Sequence, residues 1–523
     1  MRSFEEFREI LDSVFKRDDV RGIWGAELDG EIAWRLGYAF ANMLKPAHET
    51  PRIVVGRDMR VASPTMAAEI IRGIEAAGGV AEDLGMCGSE MVYYATGAHT
   101  DRYQGGAMVT ASHNPAEYGG VKFVESGARP LDTAQLEELK EQTAGLYEAH
   151  IEPPPSSVDC VDMTDGFVAK LCEVAGLSAS EEAVGLTVVV EAGNGMGGET
   201  FRPVAERLDK LLPGIRCVFS NATPDGSFPV SIPNPLLDSY LDILRDRVRE
   251  ENADLGICFD GDADRAGFVD NAGGLIDASL VSAILFEMLA PMYSDRRYVM
   301  GNLNSSMRFT NFIKEHAELG GGEREFVMTP VGHAKIKGLM RVPPYFEDGS
   351  KVLFGSEHSG HYFYPDFFYA DSGMTTALFM IRKAREVKTA GKTLSDELAP
   401  WRQGYAASGE INETVETDDK AIAKIGEVAA EYLKEPERVW RGIVEGAAAG
   451  THEVGSFGAS EPYDPAALEA LDLRVDSAPG EVPRWWFSVR KSGNEPKLRL
   501  NVESDDEAKM ASLRDDLLGI IRA

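Results

Sequence analysis

Four short polar segments carry the residue types that could do chemistry, and each follows or continues an apolar run. The first, residues 110–115, reads TASHNP and offers the Ser112 hydroxyl. A serine hydroxyl is a weak nucleophile unless a base or a metal activates it. Because Ser112 and His113 are adjacent, we expect their side chains to diverge, which disfavours a serine–histidine hydrolase pair. The alternative is an ordinary strand-to-loop turn marked by Asn-Pro.

The second segment, residues 260–265, reads DGDADR, and its carboxylates are those of Asp260, Asp262 and Asp264. Three carboxylates at alternating positions can converge on one hard divalent cation, which we expect to be Mg²⁺. An EF-hand is excluded, since Arg265 and Asn271 stand where its loop needs Gly and Glu. A solvated acidic turn is the alternative. Three aspartates behind an apolar strand are costly without a cation, which favours the metal site.

The third segment, residues 355–361, reads GSEHSGH and could bind a polar ligand such as a sugar through Glu357 and Ser359. One Glu and two His could also ligate zinc, but the HExxH helix pattern is absent from this segment. The fourth segment, residues 490–496, combines Arg, Lys, Ser and a glycine turn, which suits an anion nest. For the third segment the alternative is an ordinary polar turn. For the fourth it is a β-hairpin turn with solvated charges.

A fifth segment, residues 193–198, reads GNGMGG and matches the GxGxxG pattern. A dinucleotide site would also need an acidic residue about 20 positions later, near the end of a second strand. Residues 217–221, CVFSN, stand there instead. We therefore interpret this segment as a close-packed glycine turn.

The elements that position these segments alternate between apolar runs and helical patterns, which is typical of α/β architecture. The predicted strands are residues 53–55, 107–109, 187–190, 255–259, 266–269, 326–328, 352–354 and 486–489. Ser63 and Pro64 predict the N-cap and first position of a helix, and Ser504 with Glu507 predicts a capping box before the last helix. In α/β proteins ligands bind at the carboxyl ends of strands, and the polar segments described above follow such strands.

Length and charge limit the classes of function. The chain has 523 residues, enough for three or four domains, and a net charge of −32. That charge argues against nucleic-acid binding and against adhesion to anionic membranes. Five widely spaced cysteines without a CxxC pair fit reduced thiols, and the N-terminus lacks the apolar core of a signal peptide, so we expect a cytoplasmic protein.

Three candidate linkers divide the chain, at residues 152–157, around Gly273 and at residues 391–397. The second of these could also be only a hairpin turn. The predicted domains are residues 1–157 with the serine segment, 158–277 with the metal segment, 278–397 with the sugar segment and 398–523 with the anion nest. Residues 435–482 look rich in loops.

The order of these motifs over nearly the whole chain resembles the α-D-phosphohexomutase family, which includes phosphomannomutases and phosphoglucomutases. TASHNP resembles the phosphoserine loop of the family, DGDADR its metal loop, GSEHSGH its sugar-binding loop and residues 490–496 its phosphate-binding loop. Residues 83–90, 127–130 and 369–374 are similar to the bacterial phosphomannomutase branch. The resemblance implies three consecutive α/β mixed-sheet domains and a smaller α+β C-terminal domain around a central cleft.

The resemblance also implies roles for individual residues. Ser112 would carry a phosphoryl group and, with the three aspartates of residues 260–264, hold Mg²⁺. Lys122 and His333 would take part in proton transfer, and Arg265 would stabilise charge. The implied substrate-binding residues are Arg21, His113, Glu357, Ser359 and His361, and the implied phosphate-binding residues are Arg490, Ser492, Gly493, Asn494 and Arg499.

The implied reaction interconverts hexose 6-phosphate and hexose 1-phosphate by phosphoryl transfer through a hexose 1,6-bisphosphate, which is also the activator. Mannose is the expected sugar, with glucose as a second one, and the enzyme is expected to be a monomer or a homodimer. The alternatives are a phosphoglucosamine mutase, a Mg²⁺-dependent sugar-phosphate phosphatase and a catalytically silent sugar-phosphate-binding protein. Because such a substrate is a dianion, we expect a locally basic cleft inside an acidic surface.

Overall fold

The computed structural model describes residues 3–149, 158–302, 304–329, 331–341, 349–432, 440–445, 453–457, 470–476, 483–491 and 497–523. The chain forms two compact units. Unit 1 comprises Met1–Leu285 and His333–Glu397, and unit 2 comprises Phe286–Gly332 and Leu398–Ala523. Within the described ranges, no helix has both the length and the apolar character that a membrane crossing needs.

The described helices are α1 Phe4–Val14, α2 Gly30–Leu44, α3 Ser63–Ala76, α4 Ser89–Ala98, α5 Thr133–Gly145, α6 Thr164–Val174, α7 Gly197–Leu211, α8 Asp238–Glu251, α9 Ala278–Leu289, α10 Met307–Glu315, α11 His333–Arg341, α12 Gly373–Thr389, α13 Leu394–Leu398, α14 Asp418–Tyr432 and α15 Glu507–Arg522.

The strands of the first half are β1 Val20–Ile23, β2 Arg52–Arg57, β3 Val80–Met86, β4 Gly105–Val109, β5 Tyr118–Glu125, β6 Arg129–Pro130, β7 Asp159–Cys160, β8 Leu186–Glu191, β9 Ile215–Ser220, β10 Leu255–Phe259, β11 Ala266–Asp270 and β12 Leu275–Ile276. Those that follow are β13 Tyr298–Asn302, β14 Glu325–Thr329, β15 Val352–Ser356, β16 Tyr362–Tyr364, β17 Ala370–Asp371, β18 Ala406–Ala407, β19 Ile411–Thr414, β20 Trp440–Glu445, β21 Glu453–Phe457, β22 Ala470–Asp476, β23 Pro483–Lys491 and β24 Lys497–Ser504.

The first sheet of unit 1 has seven strands in the order β1-β5-β4-β2-β3-β7, with β6 paired to β5. Strands β4, β2, β3 and β7 are parallel to one another, and β5 is antiparallel to β4 and β1. All five residues of β4 are buried, as expected for a central strand covered on both faces. The serine segment follows β4 directly, so this sheet fixes where the segment begins.

Helices α2 and α3 pack so closely that their contact requires glycine. A Cβ atom at Gly37 would lie 2.2 Å from the carbonyl oxygen of Ile70, and one at Gly73 would lie 2.0 Å from that of Trp34. These are backbone atoms, which cannot turn aside as a side chain would. The approach of the two helices therefore depends on these two glycines.

We expect Gly37→Ala to lower the free energy of unfolding by about 1–3 kcal/mol, because overpacking outweighs the gain of about 1 kcal/mol in helix propensity. Thermal unfolding followed by circular dichroism measures the change. Gly338→Ala in α11 is the matched control, since nothing lies within 4 Å of its added Cβ. Equal unfolding midpoints for the two variants would contradict this account of the α2–α3 contact.

The second sheet has five strands in the order β12-β11-β10-β8-β9. Strands β8, β9 and β10 are parallel, whereas β11 and β12 are antiparallel to their neighbours. Gly273 lies in the turn between β11 and β12 with φ 81°, so the hairpin-turn alternative for this candidate linker is confirmed. Every residue of β10 is buried, and the metal segment follows its last residue.

The rest of unit 1 contains the antiparallel strands β15, β16 and β17 with helices α11 and α12. In unit 2, β13 and β14 form a parallel pair. The C-terminal sheet is antiparallel, in the order β18-β24-β23-β22-β20-β21 with β19 paired to β24. Its described core joins the apolar faces of α14 and α15 to strands β23 and β24, as in an α+β domain.

The predicted strands are confirmed, but two predicted helix caps are wrong. Helix α3 already includes Ser63, whose hydroxyl donates to Asp58 Oδ1 at 2.5 Å and does not cap the helix. Helix α15 is capped by Asp506, whose side chain accepts from Lys509 N at 2.7 Å. In both cases a nearby acceptor or donor competes with the predicted cap.

Two other expectations concern the less regular parts of the chain. The linker at residues 152–157 lies outside the described residues. Residues 435–482 were expected to be rich in loops, yet their described parts are the strands β20, β21 and β22. These strands pair with one another and with β23, and the other residues of this range lie outside the described residues.

Candidate active site

Ser112 lies just beyond β4 and is fully buried, with a left-handed backbone at φ 50°. Such a conformation is uncommon for a residue with a side chain, so its surroundings must hold it. The Ser112 N–H donates to Thr110 Oγ1 at 2.8 Å, and that hydroxyl donates to Asp58 Oδ2 at 2.8 Å. Asp58 thus anchors the beginning of the serine segment.

Arg60 holds the rest of the serine segment. This side chain is fully buried, and it pairs with Asp58 at 3.2 Å. Its two terminal nitrogen atoms donate, within the described part of the chain, to carbonyl oxygens, those of Ser112 at 2.7 Å, Asn114 at 2.6 Å, Pro115 at 2.7 Å and Tyr118 at 3.2 Å. A planar guanidinium with five donors suits this task. Sequence reasoning missed Arg60.

The expected divergence of Ser112 and His113 is wrong. Ser112 Oγ and His113 Nδ1 lie 3.2 Å apart, because the left-handed backbone at Ser112 turns the two neighbouring side chains together. Burial, followed by the charges of Arg265 and Arg21, lowers the pKa of His113 well below its ordinary value. A neutral imidazole therefore lies beside the serine hydroxyl.

The metal segment meets the serine segment. Asp260, Asp262 and Asp264 are fully buried, and one oxygen from each lies within 4.8 Å of the others. The Ser112 hydroxyl donates to Asp260 Oδ2 at 2.9 Å. Two segments that are far apart in the sequence therefore form one cluster of a hydroxyl and three carboxylates.

Lys122 on β5 joins two of these carboxylates. Its Nζ donates to Asp262 Oδ2 and to Asp264 Oδ2, each at 2.6 Å. The other oxygens, Asp262 Oδ1 and Asp264 Oδ1, are buried and accept no hydrogen bond from any residue that the structure describes. Buried carboxylate oxygens without donors are costly, and they are the ligands that Mg²⁺ prefers. The residues present therefore fit a divalent cation.

The charges of the cluster depend on one another. Burial, with the charges of Asp264 and Asp262, raises the pKa of Asp260 well above its ordinary value. Burial also opposes ionisation of Asp264, but Lys122, His361 and Arg265 lower its pKa below the ordinary value. Burial lowers the pKa of Lys122, and the two aspartates that it contacts more than reverse this, so the ammonium stays charged.

Arg265 and the sugar segment complete this part of unit 1. Arg265 Nε lies 3.5 Å from Asp260 Oδ2 and donates to His361 Nε2 at 3.2 Å. His361 Nδ1 lies 3.0 Å from Ser359 Oγ and 3.3 Å from Glu357 Oε2. The segment itself is a tight connection between β15 and β16, closed by Glu357 N donating to the His361 carbonyl at 2.9 Å. Glu357, Ser359 and His361, the predicted substrate-binding residues of this segment, thus lie beside the metal segment.

The structure also brings Arg21 and His333 to this cluster. Arg21 on β1 donates to Asn114 Oδ1 of the serine segment at 2.8 Å and pairs with Asp19 at 2.6 Å. His333 begins α11, and its ring stacks on His361 with 5.6 Å between centroids. Burial, then the charges of Lys337 and Lys122, lowers the pKa of His333 well below its ordinary value, so this imidazole is neutral.

The predicted phosphate segment belongs to unit 2. Ser492, Gly493 and Asn494 lie outside the described residues. Arg490 and Arg499 are opposite one another on β23 and β24. The Glu410 carboxylate lies between them, 3.3 Å from Arg490 Nη2 and 3.0 Å from Arg499 Nη1. Sequence reasoning missed this bridging acid.

The GxGxxG segment supports the metal segment. Met196 N donates to the Gly261 carbonyl at 2.9 Å, and a Cβ at Gly195 would lie 2.9 Å from the same oxygen. Glu191 accepts from Gly193 N at 2.8 Å. These contacts use the backbone that a pyrophosphate would need, so the interpretation as a close-packed glycine turn is confirmed.

Sequence reasoning missed two further buried contacts of the cluster. Lys337 on α11 pairs with Asp371 on β17 at 2.9 Å, and Asp371 Oδ2 lies 3.7 Å from His361 Nε2. Ser89, the first residue of α4, donates to Asp262 Oδ2 at 2.5 Å. Ser89 and Asp371 fall in segments that were noted only for their resemblance to one branch of a family, which was the available signal.

Four family models match the chain. They describe the α/β/α domains I, II and III and the C-terminal domain of phosphoglucomutase/phosphomannomutase, over residues 12–150, 165–273, 279–403 and 473–520. Among curated proteins, a phosphomannomutase of Salmonella montevideo is 32% identical over 96% of this chain and 97% of its own length. A phosphomannomutase of Escherichia coli K12 is 31% identical over 96% of this chain and 97% of its own length.

Solved structures share the fold. A phosphoglucomutase/phosphomannomutase family protein from Burkholderia thailandensis matches with a TM-score of 0.74 and 24% identity, covering 100% of this chain and 98% of its own. The N-acetylphosphoglucosamine mutase of Aspergillus fumigatus, solved with GlcNAc-6P and magnesium, matches with a TM-score of 0.54 and 13% identity, covering 100% of this chain and 99% of its own.

Three α/β domains followed by a C-terminal domain, with a buried serine beside three aspartates, define the class of hexose phosphate mutases. The chain belongs to the phosphoglucomutase/phosphomannomutase family, the α-D-phosphohexomutases. The predicted family, the fold class and the assignment as an isomerase that transfers a phosphoryl group are confirmed.

Proposed function

We propose that the protein interconverts hexose 6-phosphate and hexose 1-phosphate through a hexose 1,6-bisphosphate, with mannose as the preferred sugar and glucose as a second one. The observation that carries this proposal is the Ser112 hydroxyl, held 2.9 Å from Asp260 inside a buried cluster of three carboxylates. The names of the similar curated phosphomannomutases support mannose. Ser112 would carry the phosphoryl group in the active enzyme.

Mg²⁺ is the proposed resident cation, and Asp260, Asp262, Asp264 and an oxygen of the phosphorylated Ser112 would hold it. When bound, it would neutralise charge on the transferred phosphoryl group, which is the main requirement of phosphoryl transfer. Arg265, 3.5 Å from Asp260, would add positive charge beside the transferred group. The two buried oxygens without hydrogen-bond donors in the described structure support this assignment.

Proton transfer is proposed to use Lys122 and His333. The bond between the Ser112 oxygen and phosphorus breaks while a sugar hydroxyl oxygen bonds to phosphorus, so the hydroxyl must lose its proton and the serine oxygen must be stabilised. His333 is neutral and can accept a proton, whereas Lys122 is charged and can donate one. The second half of the reaction returns the other phosphoryl group to Ser112 after the bisphosphate has reoriented.

The proposed substrate-binding residues lie before and after Ser112 in the sequence. Glu357 and Ser359 would bind sugar hydroxyls, with Arg21, His113 and His361 as further contacts. The proposed phosphate-binding set is Arg490, Ser492, Gly493, Asn494 and Arg499. This set must accept a phosphate from either end of the sugar, and water must be excluded, because water would otherwise hydrolyse the phosphoserine.

The domain limits, the assembly and the location of the protein remain predictions. We propose domains at residues 1–157, 158–277, 278–397 and 398–523, a monomer or a homodimer, and a cytoplasmic protein. The matches of the four family models fall at similar positions along the chain, which supports this division.

The test is a coupled assay with mannose 1-phosphate, glucose 1-phosphate and glucosamine 1-phosphate, each with its bisphosphate activator and Mg²⁺. We expect isomer formation fastest with mannose 1-phosphate, and an intact mass that includes one phosphoryl group. Preference for glucosamine 1-phosphate would make the protein a phosphoglucosamine mutase. Release of inorganic phosphate in place of an isomer would make it a phosphatase, and the absence of any turnover would leave only a binding role.

Glu410→Gln is expected to tighten the binding of inorganic phosphate about two- to fivefold, because a partly exposed carboxylate no longer competes for Arg490 and Arg499. Isothermal titration with phosphate measures the effect. Glu413→Gln is the control, since Glu413 lies on β19, three residues after Glu410, but pairs with Arg522. Weaker phosphate binding in Glu410→Gln would mean that the carboxylate orients the arginines and does not compete for them.

A further inference from the structure

Ser89 is a buried residue that connects the first sheet of unit 1 to the metal segment. It is the first residue of α4 and is fully buried. Its hydroxyl donates to Asp262 Oδ2 at 2.5 Å, and its backbone N–H donates to the Asp262 carbonyl at 3.0 Å. Asp262 is therefore held by both the side chain and the backbone of one residue.

The contact leaves little room for either partner to move. A Cβ at Gly88, just before Ser89, would lie 3.0 Å from the Asp262 carbonyl oxygen. The N-terminus of α4 also lies against Asp262, and the positive end of a helix dipole favours a carboxylate there. The first turn of α4 thus packs directly against the metal segment.

The two oxygens of Asp262 have different surroundings. Oδ2 accepts from Ser89 Oγ and from Lys122 Nζ, at 2.5 Å and 2.6 Å. Oδ1 is buried and has no hydrogen-bond donor among the residues that the structure describes. Two donors on one oxygen fix the rotation of the carboxylate, and the direction in which the other oxygen points is fixed with it.

We infer that Ser89 is a positioning residue of the metal centre, which orients the Asp262 carboxylate so that Oδ1 faces the cation. This inference rests on the proposed role of Asp262 as a ligand. Lys122 holds Oδ2 of both Asp262 and Asp264, so it cannot by itself orient one of them independently. Partners in the outer coordination sphere commonly change metal affinity by about 10–100-fold.

The test is a direct measurement of Mg²⁺ and Mn²⁺ affinity by isothermal titration, without substrate, supported by the Mn²⁺ paramagnetic resonance signal. We expect Ser89→Ala to weaken binding at least about tenfold, and Ser89→Thr, which keeps the hydroxyl, to bind within about threefold of the wild type. Ser282→Ala is the matched control, since Ser282 is an equally buried serine whose hydroxyl donates to the Ala278 carbonyl in α9.

Thermal unfolding midpoints of all variants show whether each is folded. Metal affinity in Ser89→Ala equal to that of the wild type overturns the inference while leaving the proposed metal site intact. A wild-type protein that binds neither Mg²⁺ nor Mn²⁺ overturns the proposed metal site and the inference with it. If Ser89→Ala does not fold, weak metal binding in a folded Ser89→Thr variant counts against the inference, and strong binding supports it.

Discussion

Ser112→Ala is expected to abolish hexose phosphate interconversion, with a loss of at least about 10⁴-fold in turnover, because no side chain remains to accept the phosphoryl group. The fold is expected to survive. Thr110, Asp58 and Arg60 hold the segment through its backbone, and the Ser112 hydroxyl is not needed for those contacts. The coupled assay measures turnover, and intact mass measures loss of the single phosphoryl group.

The control for this variant is Ser126→Ala, at the residue that follows β5 of the first sheet. Its hydroxyl makes only a long, exposed contact with the Thr100 carbonyl at 3.5 Å among the contacts that the structure describes. We expect this variant to keep wild-type turnover and one phosphoryl group. Near wild-type turnover in Ser112→Ala, or a phosphoryl group still present on it, would contradict the role proposed for Ser112.

Lys122→Met is expected to lower both activity and stability. Removing the ammonium leaves Asp262 and Asp264 buried without their cationic partner, which costs about 3–5 kcal/mol in the metal-free protein. Turnover should fall by about 10²–10⁴-fold through loss of a proton donor. Because a cation that binds only the folded state stabilises it, Mg²⁺ should recover part of the lost stability. Thermal unfolding with and without Mg²⁺ measures this.

Lys140→Met provides the matched comparison. Lys140 pairs with Asp12 and Glu137, whose side chains are more than half exposed, so its removal should cost at most about 1 kcal/mol. A Lys122→Met protein that is as stable as Lys140→Met in the absence of metal would show that the buried aspartates do not need Lys122. It would also weaken the argument that the cluster is built to hold positive charge.

Much of the fold could be predicted because buried strands are short apolar runs. The prediction of residues 255–259 coincides with β10, whose five residues are all buried. The helix caps could not be predicted in the same way. Ser63 and Ser504 have the residue type of a cap, but their hydroxyl groups donate to Asp58, five residues earlier, and to the Arg484 carbonyl. A local pattern fails where an acceptor outside the helix competes for the same hydroxyl.

The candidate site, like the fold, could be predicted only in part. Motifs located the serine, the aspartates and the sugar segment, since their residue types are unusual beside apolar strands. Their mutual contacts depend on backbone angles and on partners far along the chain. The φ of 50° at Ser112 reversed the expected relation to His113, and the contact between Ser89 and Asp262 spans 173 residues. Neither could be inferred from spacing.

The locally basic cleft remains a prediction that the contacts in unit 1 make more specific. Two cations of unit 1 that could contribute to it are already paired with acids, Arg21 with Asp19 and Lys122 with Asp262 and Asp264. Among the described residues, the cationic side chains paired with the three aspartates of the metal segment are Lys122 and Arg265, and the His361 ring lies 3.6 Å from Asp264. A positive potential would therefore require the divalent cation, so phosphate binding and metal binding should depend on each other.

The backbone contacts of Arg60 also bear on which substitutions the serine segment can accept over evolution. Its guanidinium recognises four carbonyl oxygens, and every residue type supplies a carbonyl. Side chains of the segment other than those of Thr110 and Ser112 can therefore be exchanged to suit another substrate while the shape of the segment is inherited unchanged. Arg60 itself cannot be exchanged in the same way, because even lysine lacks the planar array of donors. New specificity is accessible within the segment, whereas its geometry depends on Arg60 and Asp58, which lie outside it.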